Sequence, residues 1–261
     1  MPIIQSVNRA LKILDLFDEY NKELKITEIS EKMMLHKSTV HSLLKTLEKH
    51  HYIEQDKESN KYRLGLKLFE RGNFVGYTLD IRGLAKEYLH SLAQKTNLTV
   101  HLVILDGKEG LYIDKVESHT ASILYSRIGR RIPIHCSGVG KALVADKSDK
   151  DLESLLTDYE FIKRTENTIT EKEEFLQEIE LVRQRGYAID NQENEPGVYC
   201  IAVPVRNYSG EVVAAISISS PVMRVTDEQK TKNIELLKQA SNELSQKLGY
   251  EFNNIKFPYH S

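Results

Sequence analysis

The chain lacks long apolar runs, cysteine-rich segments and a targeting pattern. None of its apolar stretches approaches the roughly 20 residues that a membrane span requires, and the N-terminal segment MPIIQSVNRA has no signal-peptide pattern. The two cysteines, Cys136 and Cys200, suit a reducing compartment better than a disulfide framework, although one bridge between them stays open. We therefore expect a cytoplasmic protein with no membrane partner.

An excess of charge of either sign is also missing, because the net charge is -2. Up to Leu66 the sequence holds eleven Lys and Arg against ten Asp and Glu. This balance argues against DNA binding through bulk electrostatics. Attraction to phosphate acts over a Debye length of about 8 Å, however, so a local basic surface on a near-neutral protein can still bind DNA.

The segment from Ile26 to Ile53 has the pattern of two short helices. Thr27 can cap the first helix and Ser38 the second. The second helix has one apolar face formed by Val40, Leu43, Leu44 and Leu47 and an opposite basic face formed by Lys37, His41, Lys45 and Lys49. This order is typical of a helix-turn-helix, in which the N-terminal residues of the second helix meet base edges.

The flanking segments complete a winged helix-turn-helix. An apolar stripe predicts a first helix over residues 6–20, with Val7, Ala10, Leu11, Leu14 and Phe17 packed inward. A hairpin with a polar tip follows Ile53, and Tyr62 and Leu64 should pack on the three helices. The candidate DNA contacts are Lys37, Ser38, Thr39 and His41 at base edges, Lys45, Lys57 and Lys61 at phosphates, and Ser42 with one hydrogen bond. The alternative is a three-helix scaffold for protein contacts.

A second domain is predicted because 261 residues exceed what a helix-turn-helix needs. A helical pattern from Leu66 to Asn97 leads into it. Strand patterns follow at 99–105, 111–116, 187–190, 198–205 and 211–219, with helices capped by Ser137, Ser148, Thr170 and Thr226 between or after them. Short turns between several strands predict an α+β fold with a mostly antiparallel sheet.

Two segments of this domain suggest a ligand site. Gly138 and Gly140 follow the cap Ser137, where bare backbone N–H groups would favour an anion; the alternative is a plain turn with Lys141 in solvent. Asp190 ends a strand, and the period of two places polar side chains on one sheet face, at Cys200 and at Ser217 and Ser219. The alternative is a solvated face with Cys200 as a small core residue.

Catalytic and metal chemistry have weaker support. His135 adjoins Cys136, but neighbouring residues of an extended segment point to opposite sides and no third member of a catalytic set is identifiable. His135, Cys136, Asp190 and Cys200 carry metal-binding groups without a CxxC or HExxH spacing. We expect no catalytic residue, no metal site and no cofactor.

Four ordered motifs resemble the IclR family of bacterial transcription regulators along nearly the whole chain. They are IQSVNRALKILDLF with ITEISEKMMLHKSTVHSLLKTLE, then KYRLGLKL, then GRRIPIHCSGVGKALVA, and finally GYAIDNQENEPGVYCIAVPV with SGEVVAAISISSP. The resemblance implies a winged helix-turn-helix at residues 1–66, a connecting helix at 67–79, a GAF-like effector-binding domain at 80–250 and a flexible tail at 251–261. It also implies homodimers or homotetramers on palindromic double-stranded operators.

The resemblance further implies a small-molecule effector, often an organic or aromatic acid, bound through Gly138, Val139, Asp190, Cys200, Ser217 and Ser219. Two positions depart from the family pattern. Ser42 stands where an Arg is common and cannot make a bidentate contact with guanine, and His51 stands where a Gly is common. The operator sequence therefore does not transfer. The remaining alternative is a small-molecule sensor whose N-terminal domain mediates protein contacts.

Overall fold

The computed structural model describes residues 3–18, 20–78, 80–117 and 126–250, without the side chains of 73–78 and 80. Contacts within the chain divide it into two units, Met1–Leu79 and Asp80–Ser261. The predicted flexible tail at 251–261 lies outside the described residues. Within the described part, no helix is long and apolar enough to cross a membrane.

The first unit is a winged helix-turn-helix, as predicted. Its elements are α1 (Gln5–Leu14), α2 (Ile26–Met33), α3 (Lys37–Lys49), β1 (Ile53–Gln55), β2 (Tyr62–Leu64) and α4 (Leu66–Thr78). The two strands pair antiparallel to form the wing. The core consists of Ile13, Phe17, Leu24, Ile29, Val40, Leu44, Ile53 and Tyr62. Burial of these side chains from all three helices and the wing fixes the angle between α2 and α3.

Several details of the first unit differ from the sequence-based prediction. Helix α1 ends at Leu14 and not near Tyr20, because the Asp18 carboxylate accepts the backbone N–H groups of Tyr20 (2.8 Å) and Asn21 (2.7 Å) and forms a turn. Val7 and Leu11 are exposed, as is Leu64 in the wing.

The predicted caps of α2 and α3 are also wrong. Helix α3 begins at Lys37 after His36, two residues before the start that a Ser38 cap requires, and α2 begins before Thr27. The Lys25 backbone N–H donates to the Glu28 carboxylate at the start of α2 instead.

The second unit contains the predicted antiparallel sheet. Its elements are α5 (Asp80–Thr96), β3 (Thr99–Asp106), β4 (Glu109–Val116), β5 (Arg131–Pro133), α6 (Gly138–Val144), α7 (Asp149–Leu155), α8 (Lys172–Arg185), β6 (Ala188–Asn191), β7 (Val198–Arg206), β8 (Val212–Pro221), a 3₁₀ turn (Val222–Arg224) and α9 (Asp227–Lys247). The six strands follow the order β5-β4-β3-β8-β7-β6, and every pairing is antiparallel.

Helices cover both faces of this sheet. Helix α6 packs on β7 and β8 and shares an apolar core with α8, whereas α5 and α9 pack on the sheet and on each other. Ser137, Ser148 and Thr226 cap their helices as predicted. Thr170 does not cap α8, which starts at Lys172 with acidic side chains in its first turn that favour the positive end of the helix dipole.

Candidate DNA interface and ligand cavity

The N-terminal half of α3 presents one polar surface. Lys37, His41 and Lys45 are exposed and recur every four residues, which places them on one side of the helix. Ser38 is exposed beside them, and Thr39 is half-buried. Burial of Val40 and Leu44 anchors the opposite side, so the structure brings the predicted base-contacting residues together.

Ser42 is exposed on the same helix, but its hydroxyl already donates a hydrogen bond within the helix. Its Oγ donates to the Ser38 carbonyl (3.1 Å), and its own carbonyl accepts from Thr46 Oγ1 (2.9 Å). In this rotamer the Ser42 hydroxyl can accept a further hydrogen bond but has no proton left to donate.

The turn and the wing position α3. Met34 adopts a left-handed conformation with φ of 51°, and the Leu35 N–H donates to the Ser30 carbonyl (3.1 Å) across the turn. At the wing tip, Asp56 accepts hydrogen bonds from Ser59, which lower the pKa of the Asp56 carboxyl. Lys57 is exposed at this tip, and the Lys61 ammonium lies 3.9 Å from the Glu23 carboxylate.

The second unit has a partly open cavity of about 180 Å³ on the α6 side of the sheet. It is lined by His101, Tyr112, Ser126, Arg130, Arg131, Ile132, Pro133, Arg164, Asp190, Asn194, Glu195, Val198, Cys200 and Ser219. Three of the predicted effector residues, Asp190, Cys200 and Ser219, are among them. Gly138, Val139 and Ser217 are not among the lining residues of the described chain, although each is buried nearby.

A chain of hydrogen-bonding side chains runs along the cavity wall. Register pairs Cys200 with Ser219, and the Cys200 sulfur lies 2.9 Å from Ser219 Oγ. His101 Nδ1 lies 3.3 Å from Ser217 Oγ, and His101 Nε2 lies 2.7 Å from Ser126 Oγ. Burial lowers the pKa of His101 to about 3, so its imidazole is neutral and can donate one hydrogen bond and accept another.

Asp190 closes the loop that follows β6. Its carboxylate accepts the backbone N–H of Glu193 (2.7 Å) and of Asn194 (3.4 Å). Burial, with a smaller contribution from the neighbouring Glu193 charge, raises the pKa of Asp190 to about 7. Near neutral pH this carboxyl is therefore poised between a pure acceptor and a group that can also donate.

Lys141 on α6 forms a buried ion pair with the same loop. The side chain is only 1% exposed, and its Nζ lies 2.7 and 2.9 Å from the two Glu193 carboxylate oxygens. The Thr168 hydroxyl donates to the Glu193 carbonyl (2.7 Å). The alternative interpretation with Lys141 in solvent is wrong, because α6 carries it inward and the buried ion pair fixes the loop that bears Asn194 and Glu195.

Close packing explains one of the two glycines of α6, Gly140. A Cβ on Gly140 would lie 2.7 Å from the Pro133 carbonyl oxygen, and the Gly140 N–H already donates to Ser137 Oγ (3.1 Å). A Cβ on Gly138 would lie 3.6 Å from both the Asp190 nitrogen and the Cys200 carbonyl oxygen. These are ordinary van der Waals distances, so packing requires a glycine at position 140 but not at position 138.

The cavity has a cationic side that sequence reasoning missed. Arg130 and Arg164 line it, and their charges oppose the rise that burial causes in the pKa of Glu195. These residues, with His101, Ser126 and Asn194, come from separate segments of the chain. Of these residues, only His101 could have been suggested by the local sequence, since the period of two in β3 places its side chain on the same sheet face as Val103.

The geometry at Cys136 does not support a thiolate nucleophile. Cys136 is buried, and burial raises the pKa of its thiol to about 12. The His135 ring instead contacts the Tyr159 hydroxyl (2.8 Å) and the Ile162 carbonyl (3.2 Å). Among the described residues, no group of three or more His, Cys, Asp or Glu side chains is arranged to hold a metal ion.

A winged helix-turn-helix followed by a domain with a polar cavity defines the class of ligand-responsive DNA-binding proteins. Two family models match the chain: the IclR helix-turn-helix domain at residues 6–57, and the bacterial transcriptional regulator IclR C-terminal domain at residues 75–246. The chain therefore belongs to the IclR family of bacterial transcriptional regulators, and the resemblance noted from its motifs is confirmed.

Individual relatives agree with this assignment. The chain is 51% identical over 250 residues to the HTH-type transcriptional regulator XynR of Escherichia coli, covering 96% of this chain and 99% of XynR. The Thermotoga maritima IclR structure is 35% identical with a TM-score of 0.80, covering 95% of this chain and all of the other.

A homologue from Microbacterium hydrocarbonoxydans shares the fold. Its structure, complexed with 4-hydroxybenzoate, is 23% identical with a TM-score of 0.82, over 93% of this chain and 98% of the other. The named relatives are transcription regulators, so the alternative of an N-terminal domain for protein contacts alone is not favoured.

Proposed function

We propose that this regulator reads a palindromic operator through paired copies of α3 and the wing, and that a small hydrophilic organic acid in the cavity controls its DNA affinity. The observation that carries the proposal is the polar cavity with arginines on one side, in a chain whose other unit exposes a basic helix. We place it in the cytoplasm, where bacterial operators lie, and assign it no catalytic role.

On the DNA, Lys37, Ser38, Thr39 and His41 contact base edges, and Ser42 can only accept a hydrogen bond there. Lys45, Lys57 and Lys61 contact phosphates. The near-neutral first unit makes the electrostatic contribution to binding modest, so affinity depends on two heads binding two half-sites about one helical turn apart.

Gel-shift titration on operators selected from a random DNA pool tests the DNA contacts. We expect Lys45→Ala to weaken binding to all sequences and to lower the salt slope by about 1, whereas His41→Ala should cost about 1–3 kcal/mol at particular base pairs. Lys163→Ala, which removes an exposed cation from the second unit, is the matched control. Absence of sequence-selective, salt-sensitive binding would refute this role.

In the cavity, Arg130 and Arg164 bind the carboxylate of the effector, and His101, Asn194 and Ser219 bind its hydroxyl or carbonyl groups. A guanidinium matches a carboxylate in geometry as well as charge. The Gly140 N–H already has its partner in Ser137, so we give the arginines the main anion-binding role. Contacts through Gly138, Val139, Asp190, Cys200 and Ser217 stay predictions.

Thermal-shift screening tests the effector class. We expect small hydroxylated carboxylates to raise the unfolding temperature more than purely apolar acids of similar size, because the cavity wall offers several hydrogen-bonding groups. Arg164→Gln and Ser219→Ala should each remove most of that shift. Lys163→Gln should leave it unchanged. The proposal is contradicted if no organic acid changes the unfolding temperature.

The effector acts by changing the relative stability of two arrangements of the heads. A ligand can shift that equilibrium only by its differential affinity for the two states, so a rigid element must connect cavity and head. We assign this role to α4, which ends at Thr78, and to the start of α5 at Asp80. The chain works as a homodimer or homotetramer on this proposal.

A further inference from the structure

A second cavity lies on the other face of the sheet from the effector cavity. It has a volume of about 260 Å³ and lies between the end of α5, the strands β7 and β8 and the first turn of α9. Its floor is apolar, because Tyr199, Ile201 and Ile218 point to this side. Neither the proposed effector role nor the DNA contacts use this cavity.

Four cationic side chains surround that apolar floor: Lys95, Arg224, Lys230 and Lys232. No Asp or Glu is among the described residues that line it. Lys230 is held by Asp227 (2.9 Å) and lies 5.6 Å from the centre of the Tyr199 ring. Within the described part of the chain, the other three have neither a hydrogen bond nor an ion pair.

This arrangement is unusual within the molecule. Acidic residues outnumber basic ones in the whole sequence, 38 to 36, and cations on the other sheet face have anionic neighbours, as Arg131 has Asp106 and Lys141 has Glu193. Three unpartnered, exposed cations line this acid-free cavity, and an anion bound among them would be attracted by all three. The apolar floor matches an apolar body attached to that anion.

We propose that the second cavity binds a small amphipathic anion, with its carboxylate between Lys95, Arg224 and Lys232 and its apolar body on Ile201 and Ile218. The side chains that line the second cavity differ from those of the effector cavity, but both cavities lie against β7 and β8. Cys200 pairs with Ser219 on one face, and the adjacent pairs Tyr199 with Ser220 and Ile201 with Ile218 face the second cavity. A ligand there therefore contacts the strands that carry the effector-binding side chains.

Methyl NMR of the full chain labelled at isoleucine can test the proposal, because each region has its own reporter. Ile201 and Ile218 line the second cavity, Ile132 lines the effector cavity, and Ile13 and Ile29 lie in the core of the first unit. We expect millimolar octanoate to shift the Ile201 and Ile218 signals without moving those of Ile13 and Ile29. The neutral isostere octanamide should bind more weakly.

Charge variants complete the experiment. Arg224→Gln/Lys232→Gln should weaken octanoate binding by about tenfold, since each exposed ionic contact contributes about threefold. The control Lys150→Gln/Lys163→Gln removes two exposed cations elsewhere and should leave the affinity unchanged. The proposal is overturned if octanoate shifts Ile132 alone, if all isoleucines shift together, if octanamide binds equally well, or if no signal moves.

Discussion

At the scale of single residues, His51 carries a backbone conformation that suits glycine better. Its φ is 61°, in the left-handed region, where a Cβ costs about 1–2 kcal/mol. The turn is needed there, because the His51 N–H ends α3 on the Glu48 carbonyl (2.9 Å) and Gly65 must pass close to the His51 carbonyl. This geometry explains why a Gly is common here in the family.

We predict that His51→Gly raises the free energy of unfolding by about 0.5–1 kcal/mol, because relief of the Cβ strain exceeds the extra entropy of glycine in the unfolded chain. Urea unfolding followed by circular dichroism measures the change. Lys49→Gly, two residues earlier within α3, is the control and should lower the same quantity by about 1 kcal/mol. A loss of stability in His51→Gly would show that the imidazole makes a compensating contact.

Asp190 gives a second prediction at this scale, through the pH dependence of stability. Its pKa is raised from 3.8 to about 7, so the folded state binds more protons than the unfolded state between these values. Its contribution to stability is therefore complete below the unfolded-state pKa and is lost as the pH rises through about 7.

Asp190→Asn should accordingly flatten the fall in unfolding temperature between about pH 4 and pH 7. Asp56→Asn is the control, because the pKa of Asp56 is lowered and its stabilising contribution is lost only in acid. The explanation fails if the Asp190 variant keeps the wild-type pH profile across that range.

The cavity side chains show how far local pattern carries a site prediction. Period-two alternation placed Cys200 and Ser219 on one face, and their pairing across β7 and β8 brings them together. His101 belongs to the same face only because β3 pairs with β8, a contact between residues more than a hundred positions apart. Periodicity within one strand contains no information about which other strand it meets, so His101 was missed.

At the scale of elements, the side-chain caps Ser137, Ser148 and Thr226 were predicted correctly. Ser137 and Ser148 each accept the backbone N–H three residues on. The predicted caps at Ser38 and Thr170 were wrong because packing also determines where a helix begins. Burial of Val40 fixes the position of α3, and a displacement of its start by two residues removes the Ser38 cap without changing the apolar face.

The ion pair between Lys141 on α6 and Glu193 in the loop after β6 contributes to the free energy of unfolding, and this contribution can be measured. Removing Lys141 leaves the largely buried Glu193 carboxylate without its ion pair, whereas removing Glu193 leaves Lys141 only its longer contact, 3.6 Å, with the Glu178 carboxylate. We expect Lys141→Met and Glu193→Gln each to lower the free energy of unfolding by about 3 kcal/mol. The double variant should cost much less than the sum of the two.

Urea unfolding of the four chains of this double-mutant cycle provides the measurement. Lys172→Met is the control, since its pair with Glu153 is largely exposed and should contribute below about 1 kcal/mol. Effector-induced thermal shifts should also shrink in Lys141→Met, because the loop that bears Asn194 and Glu195 loses its anchor. Additive energies in the cycle would mean that the two side chains act independently.

At the scale of the whole molecule, α1 shows what a single sequence cannot decide. The predicted apolar stripe was only partly right, because Phe17 is buried but Val7 and Leu11 are exposed, and the fully buried residue of the helix, Ile13, was not in the stripe. Ile13 is buried inside the first unit, whereas Val7 is 53% and Leu11 57% exposed in the single chain. Periodicity reports that a face is apolar and not whether the same chain or another copy covers it.

We infer that Ile4, Val7 and Leu11 form the contact between two DNA-binding heads, since they lie at helical spacing on one exposed side of α1. Leu11→Glu places a charge in that contact, so it should lower the molar mass measured by light scattering or weaken the association of the two heads. Because two linked heads bind a palindrome far more tightly than one, operator affinity should fall by at least about a hundredfold.

Leu181→Glu is the matched control, because Leu181 on α8 is a leucine of similar exposure, 50%, in the second unit. It should leave both molar mass and operator affinity unchanged. Binding to a single operator half-site tests one DNA-binding head without its partner. Leu11→Glu should bind a half-site as tightly as the unaltered chain does, since the substitution does not change α3. Equal affinity of Leu11→Glu and the unaltered chain for the full palindrome would place the contact between the heads elsewhere on the molecule.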